Sequence, residues 1–160
     1  MAEYSKLVER TLYTGAAATA GTTLAVAVCG GLEEGNPIAP INAVSHIAWD
    51  DQAARQTDAS WQYTGLGLAL NAAAVTSWAG VYEVFCSRAA DNKDIAGALL
   101  GGALVSAAAY VTDYHVVPER LTPGFEKRLS NRSLFGIYTV LALSLAAGSL
   151  LQPGRLLPKA

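Results

Sequence analysis

The sequence predicts an all-α fold of the polytopic membrane class, with four transmembrane helices and an interfacial amphipathic helix in the first long loop. Three observations carry this. Only 24 of the 160 residues are Asp, Glu, Lys or Arg, 15% of the chain, against roughly a quarter in an ordinary soluble domain. The shortage is concentrated, because residues 11–32, 59–82, 95–112 and 133–154 contain none of the four. At about 1.5 Å per residue each window makes a helix on the order of 30 Å, the thickness of a bilayer's hydrocarbon core. The chain is also rich in small residues, 30 Ala and 15 Gly, and helices in lipid associate through close backbone approach at such residues. The pattern excludes a soluble globular domain. A net charge of −2 leaves no basic face for nucleic acid.

After a polar lead at 1–10, the first span is expected at 11–32, with Thr14, Ala18, Gly21 and Ala25 at helical spacing. It reads as a retained span, since Val28 before Cys29 is too large for a lipoprotein signal. The loop 33–58 contains a charge-free stretch at 35–49 that is too short to span and is broken by Pro37 and Pro40. Pro40 suits a first helical turn. Ile41, Val44, Ile47 and Ala48 then share a face opposite Asn42, Ser45, His46 and Trp49, which predicts an amphipathic helix over 40–56 lying in the interface. Thr57 or Asp58 supplies the cap for the next span.

The second span, 59–82, has Trp61 and Tyr63 near its start and Trp78 and Tyr82 near its end, the aromatic-belt arrangement. Asn71 sits near its midpoint and needs a hydrogen-bond partner inside the bundle. A short polar connection, 83–94, leads to the third span at 95–117. There Gly97 and Gly101 form a G-x-x-x-G beside the stripe Ala98, Gly102, Ser106 and Ala109, so the helix is expected at the bundle centre with Gly97, Gly101 and Gly102 as packing positions. It runs on through Asp113, Tyr114 and His115 towards Pro118. In the second long loop, 119–132, Thr122 caps and Pro123 opens a short helix. The fourth span, 133–152, carries Leu134, Leu141, Leu143, Leu145, Leu150 and Leu151, bulk suited to facing lipid and to a peripheral position. A short tail, 155–160, follows. Cys29 and Cys86 fall at opposite ends of the bundle and cannot pair within one chain.

Lys and Arg counts on the two sides, six against five, barely discriminate orientation. The first long loop has one Arg against Glu33, Glu34, Asp50, Asp51 and Asp58 and reads as translocated, which puts both termini in the cytoplasm.

Four spans place both long loops on one membrane face, and both histidines lie there. His46 and Asp50 are four apart on the interfacial helix; His115 and Glu119 are four apart beyond the third span, with Asp113 close by. Together these imidazoles and carboxylates have the donor chemistry for a divalent metal such as zinc or iron. The plainer reading of the same residues is caps and ion pairs to Arg55 or Arg120. The charge-free cores hold no ionisable group of the kind that ion-coupled transporters place at mid-membrane. No P-loop and no G-x-S-x-G is present, so an enzyme is not expected.

The segments Asn36-Pro37, Ser45-His46-Ile47-Ala48-Trp49-Asp50-Asp51, Thr112-Asp113-Tyr114 and Pro118-Glu119-Arg120-Leu121-Thr122-Pro123-Gly124-Phe125-Glu126 resemble a pattern in small uncharacterised bacterial inner-membrane proteins of four predicted spans. The resemblance covers most of the chain after Gly35 and departs at Asp50, where the pattern often has glycine. It implies a bacterial inner-membrane source and no catalytic role for any residue. The function expected is association in the bilayer, with other membrane protein chains or with itself, as an accessory subunit or a small homo-oligomer. The alternative is a metal- or redox-cofactor protein built on His46, Asp50, Asp113, His115 and Glu119; a minor transporter or channel subunit is a third reading.

Overall fold

A computed structural model describes residues 2–153, and every regular element among them is helical. The tail expected at 155–160 lies outside the described residues. Helix α1, Ala2–Glu34, is 33 residues long, about 50 Å. It absorbs the expected polar lead, because residues 2–10 contain no Gly or Pro and charged side chains at an exposed helix end cost little. Its buried side repeats every four residues, Thr14, Ala18, Thr22 and Val26.

The expected interfacial helix is three short pieces: α2 (Ala39–Val44), α3 (His46–Trp49) and a 3-10 turn, Asp50–Arg55. Two local causes break it. The Ser45 hydroxyl donates to Asn42 O at 2.8 Å, competing for a helical carbonyl. Asp50 then takes a left-handed φ of 51° with ψ −160°. Nor does its first half lie on a surface, since residues 39–46 are all buried, whereas 48–52 are exposed. Asn42 pins it inward, donating to Gln56 O and Asp58 O at 3.0 Å and accepting from Thr64 Oγ1 at 2.6 Å.

A π turn, Trp61–Gly65, capped by Ser60, leads into α4 (Leu66–Phe85); Ser60, not Thr57 or Asp58, supplies the cap. The short α5 (Ser87–Asp91) precedes α6 (Ile95–Val111), whose amino end is capped by Asp94 and whose far end continues through a π turn, Thr112–Val116. In the second loop the short helix is a 3-10 turn, Phe125–Lys127, led by Gly124 at φ +84°. Thr122 does not cap it; its hydroxyl donates to Glu119 O and Glu126 Oε1. Helix α7 is Asn131–Leu150, capped by Ser130.

The long helices form a ring in which α1 packs along α4 and α7, α7 along α6, and α6 more lightly against α4. This reverses two expectations. The third long helix is not central, and the fourth is not peripheral: Leu134, Ile137, Leu141 and Leu145 of α7 are core residues, while Phe135 and Leu143 face out. Leucines spaced three and four apart fall on one face, so composition alone misassigned the helix. Gly97 serves the α6 cap by donating its amide to Asp94 Oδ1. Gly101 seats against Cys86, and Gly102 against the backbone of Ala142. Asn71 reaches α1, its amide donating to Thr23 Oγ1 at 3.3 Å.

Among the described residues three helices, Glu3–Glu34, Ile95–Val116 and Asn131–Leu150, are long and apolar enough to cross a membrane. The remaining long helix carries Asn71, Thr76, Ser77 and Glu83, which lower its hydropathy. The two long loops meet at one end of the ring through Asp50–Arg120, Asp51–Lys127 and Glu34–Arg128 ion pairs of 2.7 to 2.8 Å. At the other end Arg10 pairs with Asp91, and the Gln152 amide donates to Arg10 O. Both cysteines are free.

Candidate functional site

The loop-capped end holds the expected His and carboxylate residues, arranged in two separate places. On the outside, His46, Asp50, Asp51, Glu119, Arg120 and Lys127 border an open pocket of about 250 Å³. Asp50 and Asp51 are each engaged by a cation, Arg120 and Lys127 respectively. Lys127 holds the Asp51 carboxyl below its ordinary range by hydrogen bond and charge, and Asp51 raises the lysine in return. His46 is 3% exposed. Its Nδ1 lies 3.0 Å from Ala43 O and its Nε2 3.4 Å from Glu119 O, so both ring nitrogens face carbonyl oxygens and neither is aimed into the pocket. Gly124 packs against Nδ1 so closely that a Cβ there would lie 2.8 Å from it.

The second place is internal. Asp113 lies in the π turn at the end of α6 and continues the inward stripe Ala98, Gly102, Ser106, Ala109 by one more step of four. The Tyr138 hydroxyl on α7 donates to its Oδ2 at 2.5 Å. Tyr138 is surrounded by rings, edge-on to Tyr110 at 5.3 Å and to Tyr114 at 6.0 Å. His115 stands on the outer side, exposed, its ring edge-on to Tyr110 at 5.8 Å.

The five residues expected to ligate a metal are thus divided: His46, Asp50 and Glu119 border the outer pocket, Asp113 pairs with a tyrosine inside, and His115 packs on a ring outside. Among the described residues no three His, Cys, Asp or Glu side chains are grouped to hold a metal ion.

Asp113 and Tyr138 line a cavity of about 90 Å³ beneath the cap. Its polar lining is completed by Thr22 and Asn71; Trp78, Phe125, Leu70 and Ile137 are among its apolar walls. Val44 and Ile47 from the first loop and Leu121, Pro123 and Phe125 from the second form its roof. Towards the opposite end, Ala18, Val75, Ala79, Tyr82, Val105 and Leu145 form a buried core cluster.

That end contains a buried polar group absent from the expected spans. Glu83, 2% exposed, lies in α4 and accepts from Thr14 Oγ1 at 2.7 Å and from Gln152 Nε2 at 3.0 Å. A window drawn by the absence of charge stops at Tyr82. The helical period of the buried face, Val75, Ala79, Tyr82 and Glu83, was the signal that continues through it. Tyr138 was also missed, because a tyrosine within an apolar window carries no mark of its partner on another helix.

No protein-family model, curated protein or solved structure matches this chain.

Proposed function

We propose that this chain is a four-span protein of the bacterial inner membrane, termini cytoplasmic, that acts by association within the bilayer as a homo-oligomer or as an accessory subunit of a larger membrane complex. The helix Trp61–Phe85 is the fourth span in this reading: with its leading π turn it is 25 residues long, and it lies within the same ring as the three more apolar helices. Trp61, 93% exposed at its amino end, suits an interfacial anchor.

The observation that carries the reading is the outer face of α6 and α7. Between them runs an apolar groove of about 750 Å³, with Ala103, Ala107 and Ala142 along it and Leu99, Phe135 and Leu143 at its sides. Immediately beside it on α6 stands a ridge, Leu100 and Leu104, 61% and 62% exposed. A ridge next to a groove on one helix is self-complementary under a two-fold axis, each copy's leucines filling the other's groove. Small residues along the groove allow the close helix approach that drives association in lipid. The occupant we assign is therefore a second copy of this chain.

Single cysteines introduced into a Cys29→Ser, Cys86→Ser background test this in membranes. Oxidation is expected to give a dimer from Leu104→Cys and none from Ala20→Cys, which faces out on α1. A monomer at every position, with no second chain in a mild-detergent extract, would refute the association reading.

A further inference from the structure

We infer that the cavity beneath the loop cap is a binding site for a small organic cation, a protonated alkylamine of one or two carbons, with Asp113 as its counter-charge. The sign comes first. The cavity lining contains one carboxylate and no Lys, Arg or His. Asp113 lies in a helix long and apolar enough to cross a membrane. A lone carboxylate in such surroundings is costly and calls for a positive partner or a proton.

The walls select the kind of cation. Hard metal ions take six or more oxygen ligands, whereas the polar lining here is Asp113, Tyr138, Asn71 and Thr22 amid mostly apolar side chains. Thr22 and Asn71 spend their donors on Ala18 O and Thr23 Oγ1 and keep acceptor oxygens, so four side chains offer oxygen here, short of the shell a hard ion takes. An ammonium group needs fewer partners: the Asp113 carboxylate at one end, and the aromatic side chains Trp78, Phe125 and Tyr138 in the wall for the cation–π attraction they give an alkylated ammonium. The short alkyl group is then matched to Leu70, Val75 and Ile137. A volume of about 90 Å³ limits the guest to a few heavy atoms.

The test uses the full chain in detergent with Trp49→Phe and Trp61→Phe, leaving Trp78 as the sole indole. Methylammonium and ethylammonium chloride are titrated against NaCl and KCl at matched ionic strength. The inference expects a saturable change in Trp78 emission with both amines, at least tenfold weaker with Asp113→Asn, unaltered with Asp50→Asn, and lost with tert-butylammonium, which exceeds the cavity. The size series needs no variant of the site, so it decides the matter even if Asp113→Asn fails to fold. A response reproduced by sodium or potassium, one indifferent to Asp113→Asn in a folded variant, one with no size limit, or no saturable response at all overturns it.

Discussion

Replacing Gly102 by alanine sets a steric cost against a conformational gain, and the structure says which prevails. A Cβ at Gly102 would lie 3.1 Å from the carbonyl carbon of Ala142 and closer still to its oxygen, inside the 3.0 Å that real Cβ atoms essentially never show. The obstacle is backbone in the middle of α7, locked in its own helical hydrogen bonds, so it cannot rotate away as a side chain would. The two helices must separate, and α7 is the main partner of α6. Overpacking of this kind costs about 1–3 kcal/mol, while exchanging glycine for alanine within a helix returns about 1 kcal/mol. Gly136, also in α7, has nothing within 4 Å of the corresponding Cβ, so Gly136→Ala receives the gain without the cost. The difference between the two variants isolates the seam: Gly102→Ala should be less stable than Gly136→Ala by about 1–3 kcal/mol. Reversible unfolding by SDS titration from mild-detergent micelles, followed by far-ultraviolet circular dichroism, measures it. Equal midpoints for the two variants would refute direct backbone contact between α6 and α7 at this level.

Three other outcomes follow from the same geometry. Thr14→Val removes the hydroxyl that bonds Glu83 and receives the Gln152 amide; hydrogen bonds to charged groups are worth about 1.5–3 kcal/mol, and a loss of that size is expected by the same titration. Asp50→Gly relieves a φ of 51° at ψ −160°, worth about 1–3 kcal/mol, and forfeits an exposed ion pair to Arg120 worth about 0–1 kcal/mol, so the variant should be more stable than the parent. The Asp51–Lys127 pair should hold the two loops together from above the ordinary aspartate range to below the ordinary lysine range, because the acid is lowered and the base raised. Its contribution is lost as pH falls through the lowered Asp51 value or rises through the raised Lys127 value. Limited proteolysis of the loops should therefore distinguish Asp51→Asn from the parent at pH 7 and cease to do so once the pH falls below the lowered Asp51 value.

Charge absence located the long helices because a charged side chain is the strongest signal against burial in an apolar span, and for α7 the window and the helix nearly coincide. The same criterion failed wherever a charge is accommodated by a partner on another helix. Glu83 ended the expected second span three residues before the helix does, at Phe85, yet Thr14 and Gln152 allow it to be buried. The amphipathic reading of 40–56 assigned Asn42, Ser45 and His46 to a wet face. All three are buried: Ser45 and the His46 Nδ1 are met by carbonyls one turn back, but Asn42 is satisfied by Gln56 O, Asp58 O and Thr64, and the His46 Nε2 faces Glu119 O of the second loop, partners well beyond a helical turn. Local periodicity reports which residues share a face; it carries no information on what meets that face.

The same distinction bears on what the two ends of the bundle can do. Glu83 is buried among hydrogen-bond donors from α1 and from Gln152 beyond α7, and its role is met by holding three chain segments together. Asp113 has one donor, Tyr138, and a cavity in place of the others. Between the two carboxylates lies the core cluster of Ala18, Val75, Ala79, Tyr82 and Leu145, in which the one tyrosine hydroxyl donates to Ala98 O. Asp113 lies at the loop end, under side chains of both loops. There the roof rests on side chains of both loops, and their exposed ion pairs are the contacts that salt weakens first. Raising ionic strength with a bulky, excluded salt should then speed entry to the cavity while leaving the Glu83 cluster, which is shielded by burial, unchanged.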